Sequence, residues 1–242
     1  MRHIILSILI ISSLWAIEPK NNLGIGTAIS ESPYHGVDND PLPFPMVTYH
    51  SDTFYIQALE IGYKIVNVKM LKFNAIINPV LRNLDPDDSQ YLNGMEKRDR
   101  TIDAGFKLAI KPIPLISFSA KALHDTLGVH EGYRTELKAS VLIPFNKSFI
   151  IMLNHARQKY SSDYINYYFG VKANEATASR SEYIPASSNI SATGVNFIYN
   201  ITDKVQTNLG ITRNKLGDEI KNSPIVDKDE TTSYFLSLTY KI

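Results

Sequence analysis

Few side chains in this sequence are placed to do chemistry. His124, Asp125, His130 and Glu131 gather two imidazoles and two carboxylates within eight positions, an N/O donor set of the kind a metal ion uses. They stand at the two ends of a polar loop, and their spacing fixes no coordination geometry, so they read as solvated loop residues. Asp85, Asp87 and Asp88 form an acidic cluster. A calcium loop of the EF-hand kind alternates its oxygen donors and turns at a glycine. The spacing here does not match that loop, and the cluster holds divalent ions loosely or not at all. Six histidines are present, among them His35, His50 and His155, yet no G-x-S-x-G elbow offers a serine nucleophile. A hydrolase carried on a barrel rim is the enzyme alternative. Gly24-Ile25-Gly26 lacks the third glycine of a dinucleotide-binding turn. Tyr164, Tyr167, Tyr168 and Phe169 suit a stacking platform for sugars or bases, or else a membrane-interface girdle or loop packing. There is no cysteine, which excludes thiolate metal sites, cysteine nucleophiles and disulfides. The expectation is no catalytic residue, no cofactor and no metal site, with partner-binding residues left unassigned.

The elements around these residues carry a clearer message. In the last ten positions Tyr234, Leu236, Leu238, Tyr240 and Ile242 alternate with Phe235, Ser237, Thr239 and Lys241. Side chains alternate across a strand, so one face is apolar with tyrosine near both ends and the other is mostly polar. The same pattern recurs upstream. Ile102, Ala104, Phe106, Leu108 and Ile110 alternate with Thr101, Asp103, Gly105 and Lys107; Leu137, Ala139, Val141 and Ile143 alternate with Glu136, Lys138 and Ser140. Each segment runs about ten residues, the length of a tilted membrane-spanning strand. A soluble sandwich shares the alternation but uses strands of about 5–6 residues. The formal net charge is +1, so no global field draws the chain to nucleic acid.

The start differs in kind. Arg2 and His3 precede an apolar run ending near Trp15 and Ala16, the layout of a secretory signal. The expected division is a signal peptide over residues 1–16 and a barrel over residues 17–242. No later stretch of about 18 apolar residues supplies a spanning helix. Long polar loops at residues 31–43, 82–100, 124–130, 158–191 and 213–231 alternate with short turns, as in outer-membrane barrels. The expected fold is therefore all-β: one antiparallel transmembrane barrel of about ten strands, both ends periplasmic, with residues 233–242 paired to residues 23–30. Residues 44–66 are too long for one strand. Ser51-Asp52 and a slip of parity between Ala58 and Leu59 predict a bulge or a small hairpin above the membrane. Twelve strands result if residues 46–50 and 164–171 both join the wall.

Several stretches, in order, resemble the family of MltA-interacting protein and OmpV-type outer-membrane proteins. They are Leu23-Gly24-Ile25-Gly26, Ser32-Pro33-Tyr34-His35-Gly36, Pro41-Leu42-Pro43, Tyr168-Phe169-Gly170-Val171, Tyr183-Ile184-Pro185-Ala186, Leu216-Gly217-Asp218 and Ser223-Pro224-Ile225-Val226. Two places depart from the family pattern: Ile242 stands where a phenylalanine is usual, and Arg180-Ser181 stands for Ser-Gly. The resemblance implies a non-enzymatic barrel in the outer membrane of a Gram-negative cell. For the namesake it implies a scaffold linking a lytic murein transglycosylase to a murein synthase. Other members look like porins or adhesins, so a small channel or a surface adhesin is the alternative. The expected partners are the lipid bilayer and such murein enzymes, and no nucleic acid.

Overall fold

The computed structural model describes residues 21–242, and the expected leader, residues 1–16, lies outside them. Among the described residues, twelve strands close into one antiparallel barrel. They are β1 Asn22–Ser30, β2 Leu42–His50, β3 Phe54–Gln57, β4 Glu60–Asn67, β5 Leu71–Val80, β6 Thr101–Ile113, β7 Ile116–Asp125, β8 Tyr133–Pro144, β9 Phe149–Tyr160, β10 Ser188–Asn200, β11 Val205–Leu216 and β12 Glu230–Lys241. The ring closes where β12 meets β1, from Leu23 opposite Tyr240 to Ser30 opposite Ser233. That is the pairing the alternation predicts. Ile25, Tyr234, Leu236, Leu238 and Tyr240 face outward and are exposed, while Ser233, Phe235, Ser237 and Thr239 face inward and are buried. Among the described residues no helix is long and apolar enough to cross a membrane. The wall crosses instead, and closure satisfies its backbone groups in lipid.

The strand count is the higher of the two expected values, but it is reached by a different division. Residues 164–171 do not join the wall. Ser162–Phe169 is a helix, α1, capped by Ser161, whose hydroxyl accepts from the Tyr164 N–H. The extra strands come from residues 42–67, which make three strands rather than one. Both expected irregularities are turns within the wall. Ser51 and Phe54 close the first, on the rim that also carries the chain end, not above the membrane. Ala58, at φ 52°, makes the second, joining β3 to β4.

Strand β3 has only four residues, so the wall is notched above it. Strand β2 runs on for several residues past its last partner in β3. The Val47 carbonyl accepts from Ala58 N–H, so the odd-numbered residues of β2 direct their backbone groups toward β3. Pro43 and Pro45 share that parity. On the far side of the notch, Leu71 exchanges bonds with Val68 toward β4, and the β5–β6 register is unbroken through Pro79. Pro79 therefore also faces the notch, beyond the end of β4 pairing at Ile77. The three prolines remove the N–H donors that a broken ladder would otherwise leave unpaired.

At the seam, β1 lies against β12 without room for a side chain. A Cβ on Gly24 would stand 2.0 Å from the Leu238 carbonyl oxygen. Gly24→Val is expected to prevent closure, and Tyr240→Asp to impair insertion by placing a charge on the lipid face. Loss of the heat-modifiable, membrane-inserted species on gels is the measurement for each. Normal insertion of Tyr240→Asp would contradict the outward placement of that face.

Candidate functional site

Twelve strands enclose more space than the eight that side chains alone can just fill. Two structures occupy it. In the lumen, inward positions of β4 and β6–β8 carry acids and bases together, among them Glu60, Asp103, Asp125 and Glu136 with Lys107, Lys121, Arg134 and Lys138. They are joined. Glu60 bridges Lys107 at 2.7 Å and Lys121 at 2.8 Å, and Lys121 reaches Glu136 at 3.7 Å. Tyr55 donates to Glu60 at 2.8 Å, and Gln158 donates to Glu136 at 2.8 Å. Lys107 and Glu60 are only 2% and 3% exposed, far from what an open aqueous pore gives. The inward residues of β9, Met152, Asn154, Ala156, Gln158 and Tyr160, are buried along its length.

Above the lumen the long loops fold together as a lid. Its core joins Tyr34 of the β1–β2 loop, Leu84 and Leu92 of the β5–β6 loop, Tyr164, Ile165, Tyr168 and Phe169 of α1, and Ile220 and Ile225 of the β11–β12 loop. Ile220 lies on a short helix, α2 Asp218–Lys221. Buried backbone carbonyls at the end of α1 are capped across the lid: Tyr34 donates to Tyr168 O at 3.0 Å and Ser223 to Phe169 O at 2.6 Å. Burial pushes the Tyr34 hydroxyl up to about 12, against the pull of nearby Arg82, so it remains a donor. Arg98 grips both carboxylate oxygens of Glu175 at 2.7 and 2.8 Å. Arg180 donates to the carbonyls of Glu175, Tyr91 and Asn93. The lid has its own hydrophobic core and its own buried ion pair.

The sequence matches the family model described as MltA-interacting protein MipA over residues 23–242. The chain belongs to the MltA-interacting protein family. It is 33% identical over 143 residues to the outer membrane protein OmpV of Vibrio cholerae, a match covering 59% of this chain and 55% of that one. The chain thus spans about half the length of that relative. With the MltA-interacting protein of Escherichia coli K12 it shares 26% identity over 228 residues, covering 93% and 91% of the two chains. Among solved structures, the NanC porin superposes with a TM-score of 0.51 at 9% identity, covering 91% of this chain and all of the porin. That likeness supports the barrel fold, and the relatives place the chain among outer-membrane proteins.

In this family member the sequence candidates fall into structural roles. Asp125 and His130 do come together, with Asp103 as third neighbour; His124 points outward. All three have their donors and acceptors in use. Asp125 accepts from Thr101 at 2.7 Å and from the N–H groups of Leu127, His130 and Glu131. His130 Nδ1 accepts from Gly132 N–H, so its proton is on Nε2 and is given to Asp103 at 3.1 Å. Arg134 donates to the other Asp103 oxygen at 2.6 Å. The imidazole keeps no lone pair for an ion, and the cluster ties the β7–β8 loop to the wall. Asp85 caps a short turn through Asp87 N–H and pairs with Lys97 at 3.3 Å. His35 stacks on Tyr91, His50 on Tyr55, and His155 meets Thr193 on the outer wall. The three do not converge. The aromatic group is loop packing, in the lid. Sequence reasoning missed Glu60 and its lysines as one network, since Glu60 comes from a segment read as part of a single long strand.

Burial raises the Glu175 carboxyl, but the N–H groups of Lys172 and Glu96 and the Arg98 guanidinium outweigh it and hold it below the ordinary range. A lowered folded value contributes stability that is complete above the unfolded value and lost as pH falls through the folded one. The lid is expected to loosen only in acid below the ordinary glutamate range. Glu175→Gln removes the buried partner of Arg98, which keeps only the more distant Glu96 carboxylate at 3.8 Å, and is expected to cost the lid about 1–3 kcal/mol. Hydrogen exchange of the α1 amides checks both, with the barrel strands remaining protected. Planar-bilayer recordings of the unaltered protein are expected to be silent.

Proposed function

We propose that this chain is a non-enzymatic outer-membrane scaffold, docking a lytic murein transglycosylase at its short-turn rim, with a murein synthase as a second partner. The observation that carries this is the charge of that rim. Lys69, Lys111, Lys147, Lys204 and Lys241 lie at or beside successive turns and the chain end, against Asp52 and Asp203. Short turns mark the periplasmic side of such barrels, where murein and its enzymes lie. A ring of lysines supplies electrostatic attraction and orientation to an acidic partner surface. The name of the Escherichia coli relative supports the choice of partner. The packed lumen and the lid weigh against passive conduction as the main role.

Cross-linking in intact envelopes is the test. The unaltered chain is expected to capture a murein enzyme, and Lys69→Glu/Lys147→Glu/Lys204→Glu to lose most of that capture while keeping its heat-modifiable barrel. Recovery of no murein enzyme above background by the unaltered chain would remove the scaffold reading and leave the fold intact.

A further inference from the structure

The outer wall is charged on one side only, at the height where the apolar band ends. Strand register fixes the rows. Leu153, Val195, Ile211 and Tyr234 stand side by side across β9–β12 and are the last apolar row. The next row is His155, Thr193, Arg213 and Thr232, and the one above it Arg157, Ser191, Lys215 and Glu230. Lys159 and Asn189 follow. These rows belong to the lid end of the barrel. Three residues of strand rise about 10 Å, which carries the wall out of the hydrocarbon and through the headgroup layer. Outward strand positions at the lid end of the remaining wall carry no lysine, arginine or carboxylate: Ile29, Pro43, Pro45, Ile77, Pro79, Ile102, Ala122, His124 and Tyr133.

Within the basic rows, Arg213 is paired with Glu230. Arg157, Lys159 and Lys215 are exposed. Arg157 and Lys215 both lie opposite Ser191, one on each side, so their backbones stand about 10 Å apart, two strand spacings. Lys159 is two residues beyond Arg157, about 7 Å along the strand. Long flexible side chains from these three points are long enough to meet over Ser191 and Asn189, which add a hydroxyl and an amide. Cations on a wall that faces lipid, not water, have one abundant counter-ion at this height, the phosphate of a lipid headgroup.

We propose that the outward face of β9–β11 at the lid end binds a phosphate-bearing lipid headgroup of the outer leaflet, held by Arg157, Lys159 and Lys215 with Ser191 and Asn189 as hydrogen-bond partners. The acyl chains lie below, against Leu153, Val195 and Ile211.

The test uses the full chain refolded in neutral detergent and titrated with bis-phosphorylated lipid A, with its dephosphorylated form and with inorganic phosphate, binding being read by native mass spectrometry. The phosphorylated lipid is expected to bind best, and to weaken as salt rises. Arg157→Gln/Lys159→Gln/Lys215→Gln is expected to lose roughly tenfold or more, while Lys147→Gln/Lys204→Gln at the opposite rim binds like the unaltered chain. Equal binding by the triple variant overturns the proposal. So does equal binding of the dephosphorylated lipid, which leaves only the acyl chains, or full competition by inorganic phosphate at matched concentration, which leaves a general anion site. If the triple variant fails to give the heat-modifiable barrel, Lys215→Gln alone and the salt dependence of the unaltered chain decide: an unchanged affinity in both overturns it.

Discussion

Closure of the hydrogen-bonded ring governs everything else in this molecule. In hydrocarbon no water satisfies a free N–H or C=O, so each strand must find a partner on both sides or lose the groups that need one. The β12–β1 seam shows the first solution, with β1 brought so near β12 at Gly24 that only hydrogen fits. The notch above β3 shows the second. There the ladder stops, and Pro43, Pro45 and Pro79 stand on the exposed sides of β2 and β5. A proline is costly inside a sheet because it cannot donate. At an interrupted edge the same property removes a donor that would have no acceptor.

Closing twelve strands creates a second problem, since the ring is wider than its own side chains fill. The inward face answers with length and charge. Lysine, arginine and glutamate reach farther than leucine, and opposite charges on β4 and β6–β8 pair with one another. A buried network of this kind is weak evidence for stability, because desolvation offsets most of the attraction. It does fix geometry, since removing any one member leaves its partners charged and buried. The lid works the same way at a larger scale. Its core is apolar, but Arg98, Glu175 and Arg180 bind together backbone segments that no strand holds.

Much of this was legible in the residues. Period-two alternation over ten residues gave the wall, the inward and outward faces and the closing pair, because lipid on one side and a polar lumen on the other impose a strict contrast. The strand number was not. Phe54–Gln57 is too short to show a period, and the turn at Ala58 uses no glycine, asparagine or proline, only a positive φ that the sequence does not announce. The histidine cluster read as solvated loop residues, but Asp125 and His130 are buried, and the partners that bury them leave no mark in the local sequence. Asp103 meets His130 and Arg134 only because β6, β7 and β8 align in register. The lid was invisible for the same reason: its core draws on segments near residues 34, 92, 165 and 225, and no local pattern links them.

A barrel that is closed, packed and lidded has little left to vary along its axis. Its two rims are then held in fixed relation, one in the periplasm and one at the cell surface, and what it does must be carried by surfaces that differ. Three such surfaces differ in charge. The short-turn rim is rich in lysine, the lumen pairs acids with bases, and among the described residues the outward strand positions at the lid end carry exposed lysine and arginine on β9–β11. A charge facing lipid is expensive at the bilayer midplane and cheap near the interface. The restriction of Arg157, Lys159 and Lys215 to rows beyond the last apolar one follows from that gradient. Their restriction to one side of the barrel does not, since the same depth is available all the way round. Depth alone explains where such cations are tolerated, and a specific anionic neighbour explains why they gather on three adjacent strands.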